Sequence, residues 1–248
     1  MKHNDYPALY VAADSASNNA QKKFLLAVRV HTGLLIIGAA LAVNPLPSWI
    51  YSITNAMAFI GAIGISILLS TKNYEKTWYS ARALAESVKT ASWRFMMQAE
   101  PFHDLDSAKE AKSEFSNQLK EILHANNQLG EVLGDPSSDG DQITQAMITA
   151  RSDNLEDRKS VYLKDRIDEQ RLWYFNKSKH NQNRASQFFV TLIVLQFLAV
   201  VCVLLRIAFP AWAYWPTDIF VVAAGGVMTW VHLKRYREVT AAYSLTAH

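Results

Sequence analysis

Residues Phe24 to Ser70 read FLLAVRVHTGLLIIGAALAVNPLPSWIYSITNAMAFIGAIGISILLS: two apolar runs, about 25–43 and 49–70, separated by Asn44-Pro45-Leu46-Pro47-Ser48. A helix needs ~20 mostly apolar residues to cross a bilayer, and each run supplies about that many. The second run carries no charge. Two prolines in so short a connection let neither helix continue, so the pair predicts a transmembrane hairpin. The arrangement returns at about 187–208 and 216–233, around Pro210, Trp212, Tyr214, Trp215 and Pro216. The expected fold is an all-α membrane protein with two transmembrane hairpins, four spans in all. Its long span helices should extend into a cytoplasmic helical stalk or bundle.

Basic residues set the expected topology. Lys2, Lys22 and Lys23 precede the first span, Lys72, Lys76 and Arg82 follow the second, Lys177, Lys179 and Arg184 precede the third, and Lys234, Arg235 and Arg237 follow the fourth. Lys and Arg near span ends concentrate on the cytoplasmic side, which predicts a multi-pass protein of the inner membrane with both termini and the middle section cytoplasmic. The aromatic cluster Trp212, Tyr214 and Trp215, with Trp49 and Tyr51, would then anchor at the outer interface. Between Thr71 and Ala185 there are 17 Lys+Arg against 18 Asp+Glu, so that section is close to neutral and lacks the basic stripe of a nucleic-acid groove. The one cysteine, Cys202, lies within the third span and excludes an intrachain disulfide. A polar opening predicts that the first span is its own insertion signal, with no cleaved leader.

Along the chain, Tyr6-Pro7-Ala8-Leu9-Tyr10 starts an amphipathic pattern that runs unbroken into the first span, with Pro7 near its first turn. Arg29 and His31 lie one or two turns into that span. They are candidate pore or gating residues, weighed against Arg29 snorkelling to the headgroups and His31 packing on a neighbouring helix. Gly33, Gly38, Gly61, Gly64, Gly225 and Gly226 give small faces for close helix approach, within or between protomers. No glycine or proline interrupts the sequence from the second span to Pro101, predicting one helix to about Glu100. Trp78, Arg82, Glu86, Lys89 and Trp93 recur along it at three- and four-residue spacing and form an aromatic and charged stripe suited to an interface; Arg94 joins them as a candidate trigger contact. Asp106-Ser107 should cap a helix ending at Gly130, and 134–141 should be a loop. That loop begins like a calcium site but has Ala146 where the bidentate Glu belongs, so no metal or other cofactor is expected. From Glu156 a charged helix should run through Arg166, Gln170, Trp173 and Tyr174 into the third span.

These stretches carry a resemblance. Pro7-Ala8-Leu9-Tyr10 with Asp14, Ser17 and Gln21, then Arg82 to Lys89 with Trp93-Arg94-Phe95, then Tyr162-Leu163 with Asp165-Arg166-Ile167, Gln170 and Trp173-Tyr174, resemble the SLATT superfamily. Its members are two-span effector domains associated with SMODS nucleotidyltransferases and SLOG ligand-binding proteins, and this chain resembles the fused form with two units in tandem. The units would be 1–105 and 156–248, with 106–155 a cytoplasmic helical linker. The second departs from the pattern at Ala241 to His248, where a post-span helix would continue. The resemblance implies a homo-oligomeric, pore-forming or membrane-perturbing effector of a nucleotide- or stress-regulated anti-phage defence system. Its partners would be the lipid bilayer, further copies of the chain, and a nucleotide second messenger or an operon-encoded sensor protein. No enzyme is expected, since no phosphate loop, metal-spaced set or nucleophile elbow is present. The rival readings are a constitutive ion channel and a membrane-anchored scaffold for a soluble partner.

Overall fold

The computed structural model describes residues 1–43, 49–103, 108–134 and 140–247. The proline connection 44–48, the expected cap Asp106-Ser107, residues 135–139 of the expected loop, and His248 lie outside the described residues. The helices are α1 Ala8–Ala42, α2 Trp49–Lys72, α3 Tyr74–Met96, α4 Ala108–His124, α5 Gly130–Leu133, α6 Gln145–Ser152, α7 Leu155–Tyr162, α8 Glu169–Ala208, α9 Thr217–Lys234 and α10 Tyr236–Thr246. A π-helical stretch, Leu163–Asp168, joins α7 to α8. No strand occurs among the described residues, and the protein is an all-α membrane protein. It divides into two compact units: residues 1–25 with 73–169, and residues 26–72 with 170–248.

The first unit holds a core of the kind water drives together. The buried side chains of α1 in this unit include Leu9, Tyr10, Ala13, Ala16, Ser17 and Ala20, recurring every three to four residues as one helix face. The start of α1 is tied down: the Ala8 N–H donates to the Asp141 carbonyl (3.1 Å), and the Leu9 N–H to Gln142 Oε1 (3.2 Å). These bonds satisfy donors that a helix N-terminus leaves unpaired. Leu84, Ala85, Val88, Phe95 and Met96 of α3 are buried against Phe115 and Leu119 of α4, Leu129, and Met147 of α6. Residues between 106 and 155 therefore supply part of this core. Arg151 of α6 closes it, donating from Nη1 to the Phe95 carbonyl (2.6 Å) and from Nη2 to the Phe102 carbonyl (3.0 Å). The first of these acceptors is a carbonyl of the last turn of α3, where a cation suits the helix dipole.

Three boundaries differ from the sequence expectation. The helix expected to run from the second span to about Glu100 is interrupted at Asn73, which is left-handed (φ 47°, ψ 34°) and separates α2 from α3. Asparagine is among the few residues other than glycine that enter this region at small cost. The same helix stops at Met96, because Gln98 is left-handed too (φ 50°) and Pro101 follows. Gly130 does not end the middle helix. That helix, α4, stops at His124, and Gly130 (φ −52°, ψ −45°) is helical and begins α5. By contrast, α7, the π-helical stretch and α8 follow one another without a break from Leu155 to Ala208. Asn154 caps α7, its side chain accepting from the Asp157 N–H (2.9 Å).

The second unit is built the opposite way. Ile50, Ile53, Met57, Ile60, Ile63 and Ile67 of α2 are exposed, as are Phe189, Val190, Ile193, Phe197, Val200 and Leu204 of α8. Apolar surface on this scale cannot face water, and lipid is its solvent. Among the described residues, three stretches are long and apolar enough to cross a membrane: Ala8–Ala42, Trp49–Met96 and Leu155–Ala208. Helix α9 carries the fourth expected span; it is 18 residues long, with Asp218 near its start and Lys234 at its end. Small residues let these helices meet. A Cβ on Gly38 would sit 3.1 Å from the Phe59 ring, one on Gly61 3.2 Å from Leu34, and one on Gly226 2.5 Å from Thr32 Cγ2. Thus α1 packs on both α2 and α9. Among the described residues, Gly33, Gly64 and Gly225 have nothing within 4 Å of such a Cβ.

Candidate functional site

The stripe on α3 is the seam along which α3 meets the N-terminal part of α1. Near one end, Trp78 stacks on Tyr79 (4.7 Å between ring centroids) and lies 6.3 Å from Phe24, and Ser17 Oγ donates to the Trp78 carbonyl (3.2 Å). In the middle, the Arg82 guanidinium bridges two carboxylates, Asp14 of α1 at 2.9 Å and Glu86 on the next turn at 2.7 Å. At the other end, Trp93 Nε1 donates to the Tyr6 hydroxyl (3.1 Å), and the Lys89 ammonium lies 5.6 Å from the Tyr6 ring centroid. Trp93 is only 3% exposed, and its ring meets Tyr162 edge-on at 5.6 Å. Trp78 is half-buried, so the two tryptophans of the stripe are not equally hidden.

The seam is electrostatically graded. Arg82 is about half exposed, so its two ion pairs hold register more than they add stability. Further in, burial pulls the Lys89 ammonium below its usual range, partly countered by Glu86. Burial also pushes the Tyr6 hydroxyl up to about 12, the Trp93 hydrogen bond offsetting part of the effect. An unfolded tyrosine ionises near pH 10, so between about 10 and 12 the unfolded chain sheds a proton that folded Tyr6 keeps. The stability from Tyr6 is therefore complete below pH 10 and lost as pH rises towards 12. Alkaline unfolding followed by circular dichroism should begin in that window, and Tyr6→Phe should flatten the slope. It will not remove it, because burial raises Tyr10 as well.

Next to the seam, Trp93 and Arg94 of α3 face Arg158, Lys159 and Tyr162 of α7 and Arg166 of the π-helical stretch across an open cleft of about 450 Å³. Arg158 and Lys159 were not singled out from the sequence. The spacing Arg158, Tyr162, Arg166, four residues apart each time, was the signal available for Arg158. Asp14 and Tyr6 stood within sequence patterns, but nothing local marks them as partners of the stripe. Among the described residues no group of His, Cys, Asp and Glu is placed to hold a metal ion.

Comparison with known families accounts for the apolar helices. Residues 7–159 match the family model for SMODS and SLOG-associating 2TM effector domain 3, and residues 162–248 match that for SMODS and SLOG-associating 2TM effector domain 1. The chain belongs to the SMODS and SLOG-associating 2TM effector family. It is a tandem fusion of two such domains, a membrane effector of the conflict-system type. No curated protein and no solved structure matches it.

In this 2TM effector the remaining candidate residues fall in the second unit. Trp173 and Tyr174 pack on Tyr243 of α10, at 5.5 and 5.4 Å between ring centroids, and Ser178 Oγ donates to the Thr240 carbonyl (3.1 Å). These contacts make a clasp between the N-terminal part of α8 and α10. Gln170, at the head of the same helix, is half-buried. Arg29 lies with its guanidinium 4.9 Å from the Trp230 ring centroid, a cation–π contact that holds α1 to α9. His31 is half-buried on α1. The two candidate gating residues thus lie on the helix that α9 packs against.

Proposed function

We propose that this SLATT effector is a homo-oligomer of the bacterial inner membrane that permeabilises or perturbs the bilayer in a nucleotide- or stress-regulated anti-phage defence system. The carrying observation is the contrast between the units. The described helices α2 and α8 present Ile, Phe, Val and Leu outward along their length, while residues 73–169 pack a fully buried aromatic core. One part is made for lipid and the other can take up a signal. On this reading the protein has four spans, residues 1–105 and 156–248 carry the two membrane hairpins, and both termini and the section 106–155 lie on the cytoplasmic side, a topology supported by the Lys and Arg near the span ends. A single four-span protomer encloses little space, and the open small-residue positions Gly33, Gly64 and Gly225 suit contacts between copies. We assign the chain no enzymatic reaction.

The resting state is closed on this reading, and the seam between α1 and α3 is the element whose register a trigger shifts. Induced expression with the neighbouring sensor genes should stop growth and collapse membrane potential, read with a potential-sensitive dye. Arg82→Ala or Glu86→Ala should abolish or unleash that effect while membrane insertion persists. Lys112→Ala, on the exposed side of α4, should match the parent. Equal depolarisation by all three variants would remove the seam as the switch. No depolarisation by the parent under any trigger would leave a membrane-anchored scaffold.

A further inference from the structure

The cleft between α3 and α7 is lined by four cationic side chains, Arg94, Arg158, Lys159 and Arg166, and by no carboxylate. Like charges gathered in this way repel, and a fold keeps them together when something anionic joins them. Two of the nearby acids are engaged elsewhere. Asp157 accepts from the Asn154 side-chain amide (2.6 Å), and Asp165 from the Met1 amine (2.6 Å). Two guanidinium nitrogens of the residues that line the cleft, Arg158 Nε and Arg166 Nη1, are buried without a hydrogen-bond partner among the described residues. An unpaired buried charged donor is costly, and an ordered water or a ligand completes it. Arg158 is anchored at its other end, where Nη1 donates to the Arg151 carbonyl (3.3 Å). Arg166 lies in the π-helical stretch, an irregularity that recurs at functional sites.

Three of the four cations are arginines, whose planar forks match the tetrahedral oxygens of a phosphate better than an ammonium does. Trp93 and Tyr162 add aromatic wall. We infer that this cleft is a binding site for a phosphate group, carried either by a soluble nucleotide or by a lipid headgroup. Phosphate binding stands on the cleft alone. Its role as the trigger rests on the function proposed above, so binding and depolarisation are measured separately.

The test uses the full chain in neutral detergent at low salt, titrated calorimetrically with pyrophosphate and with ATP. It is repeated in nanodiscs of phosphatidylcholine and of phosphatidylglycerol. Pyrophosphate should bind and weaken as salt is raised, and Arg158→Gln and Arg166→Gln should each cost about tenfold in affinity. Lys112→Ala should cost nothing, and all variants should keep the parental thermal midpoint. Tighter binding of ATP than pyrophosphate in phosphatidylcholine discs identifies a soluble nucleotide; loss of pyrophosphate binding in phosphatidylglycerol discs identifies a lipid headgroup. The inference is overturned if neither anion binds and phosphatidylglycerol makes no difference, or if a folded Arg158→Gln/Arg166→Gln double variant binds like the parent. Depolarisation without phosphate binding would sink the site and spare the function, and binding without depolarisation would do the reverse.

Discussion

Phe115→Ala should lower the unfolding free energy of the full chain by about 3–5 kcal/mol, measured as a shifted denaturant or thermal midpoint in detergent. Phe115 has no exposed surface, and its ring lies 4.8 Å from that of Phe95 and 5.9 Å from that of Phe102, each also buried. Removing the ring leaves a cavity walled by two aromatic rings and the α3 backbone, none of which can collapse far. Phe115→Leu keeps most of the volume and should cost markedly less. Lys112→Ala, one turn earlier on the exposed face, should stay within about 0.5 kcal/mol of the parent. A midpoint unmoved by Phe115→Ala would mean that α4 does not anchor this unit.

Gly226→Ala should destabilise the packing of α1 on α9 by about 1–3 kcal/mol, although alanine is the better helix former. The added Cβ would lie 2.5 Å from Thr32 Cγ2. That methyl belongs to a β-branched side chain with few rotamers, so it cannot swing away cheaply. Thr32→Ala removes the methyl and should recover most of the loss, because the next Thr32 atom, Cβ, is 3.9 Å away. Gly225→Ala faces open space and should be neutral or mildly stabilising. Thermal aggregation of the parent, the two single variants at Gly226 and Thr32 and their double variant, in one mild detergent, reads the cycle, with Gly225→Ala as the control. Equal midpoints for Gly226→Ala and Gly225→Ala would show that the approach to Thr32 relaxes freely.

The candidate site was partly legible. The spacing of Trp78, Arg82, Glu86, Lys89 and Trp93 could be read as an interface, because residues three and four apart share a helix face whatever lies opposite. What lies opposite is Asp14, Ser17 and Tyr6, far away along the chain, and no local pattern marks a partner at such distance. The cationic cleft was half legible for the same reason: Arg94 and Arg166 stood out within motifs, whereas Arg158 and Lys159 acquire meaning only beside them. The break at Asn73 depends on one residue's choice of a left-handed backbone, and an asparagine between two helical patterns does not announce it.

By itself the sequence determined that this is an all-helical membrane protein of tandem two-span units, since hydropathy over about 20 residues and the punctuation of proline are properties of a linear string. It left open which small residues meet within the chain. The tertiary structure decided that Gly38, Gly61 and Gly226 take part in close approaches while Gly33, Gly64 and Gly225 do not. It also decided that the aromatic and charged stripe closes on the chain's own N-terminal helix. These are choices among faces of equal composition, and only three-dimensional packing distinguishes one face from another.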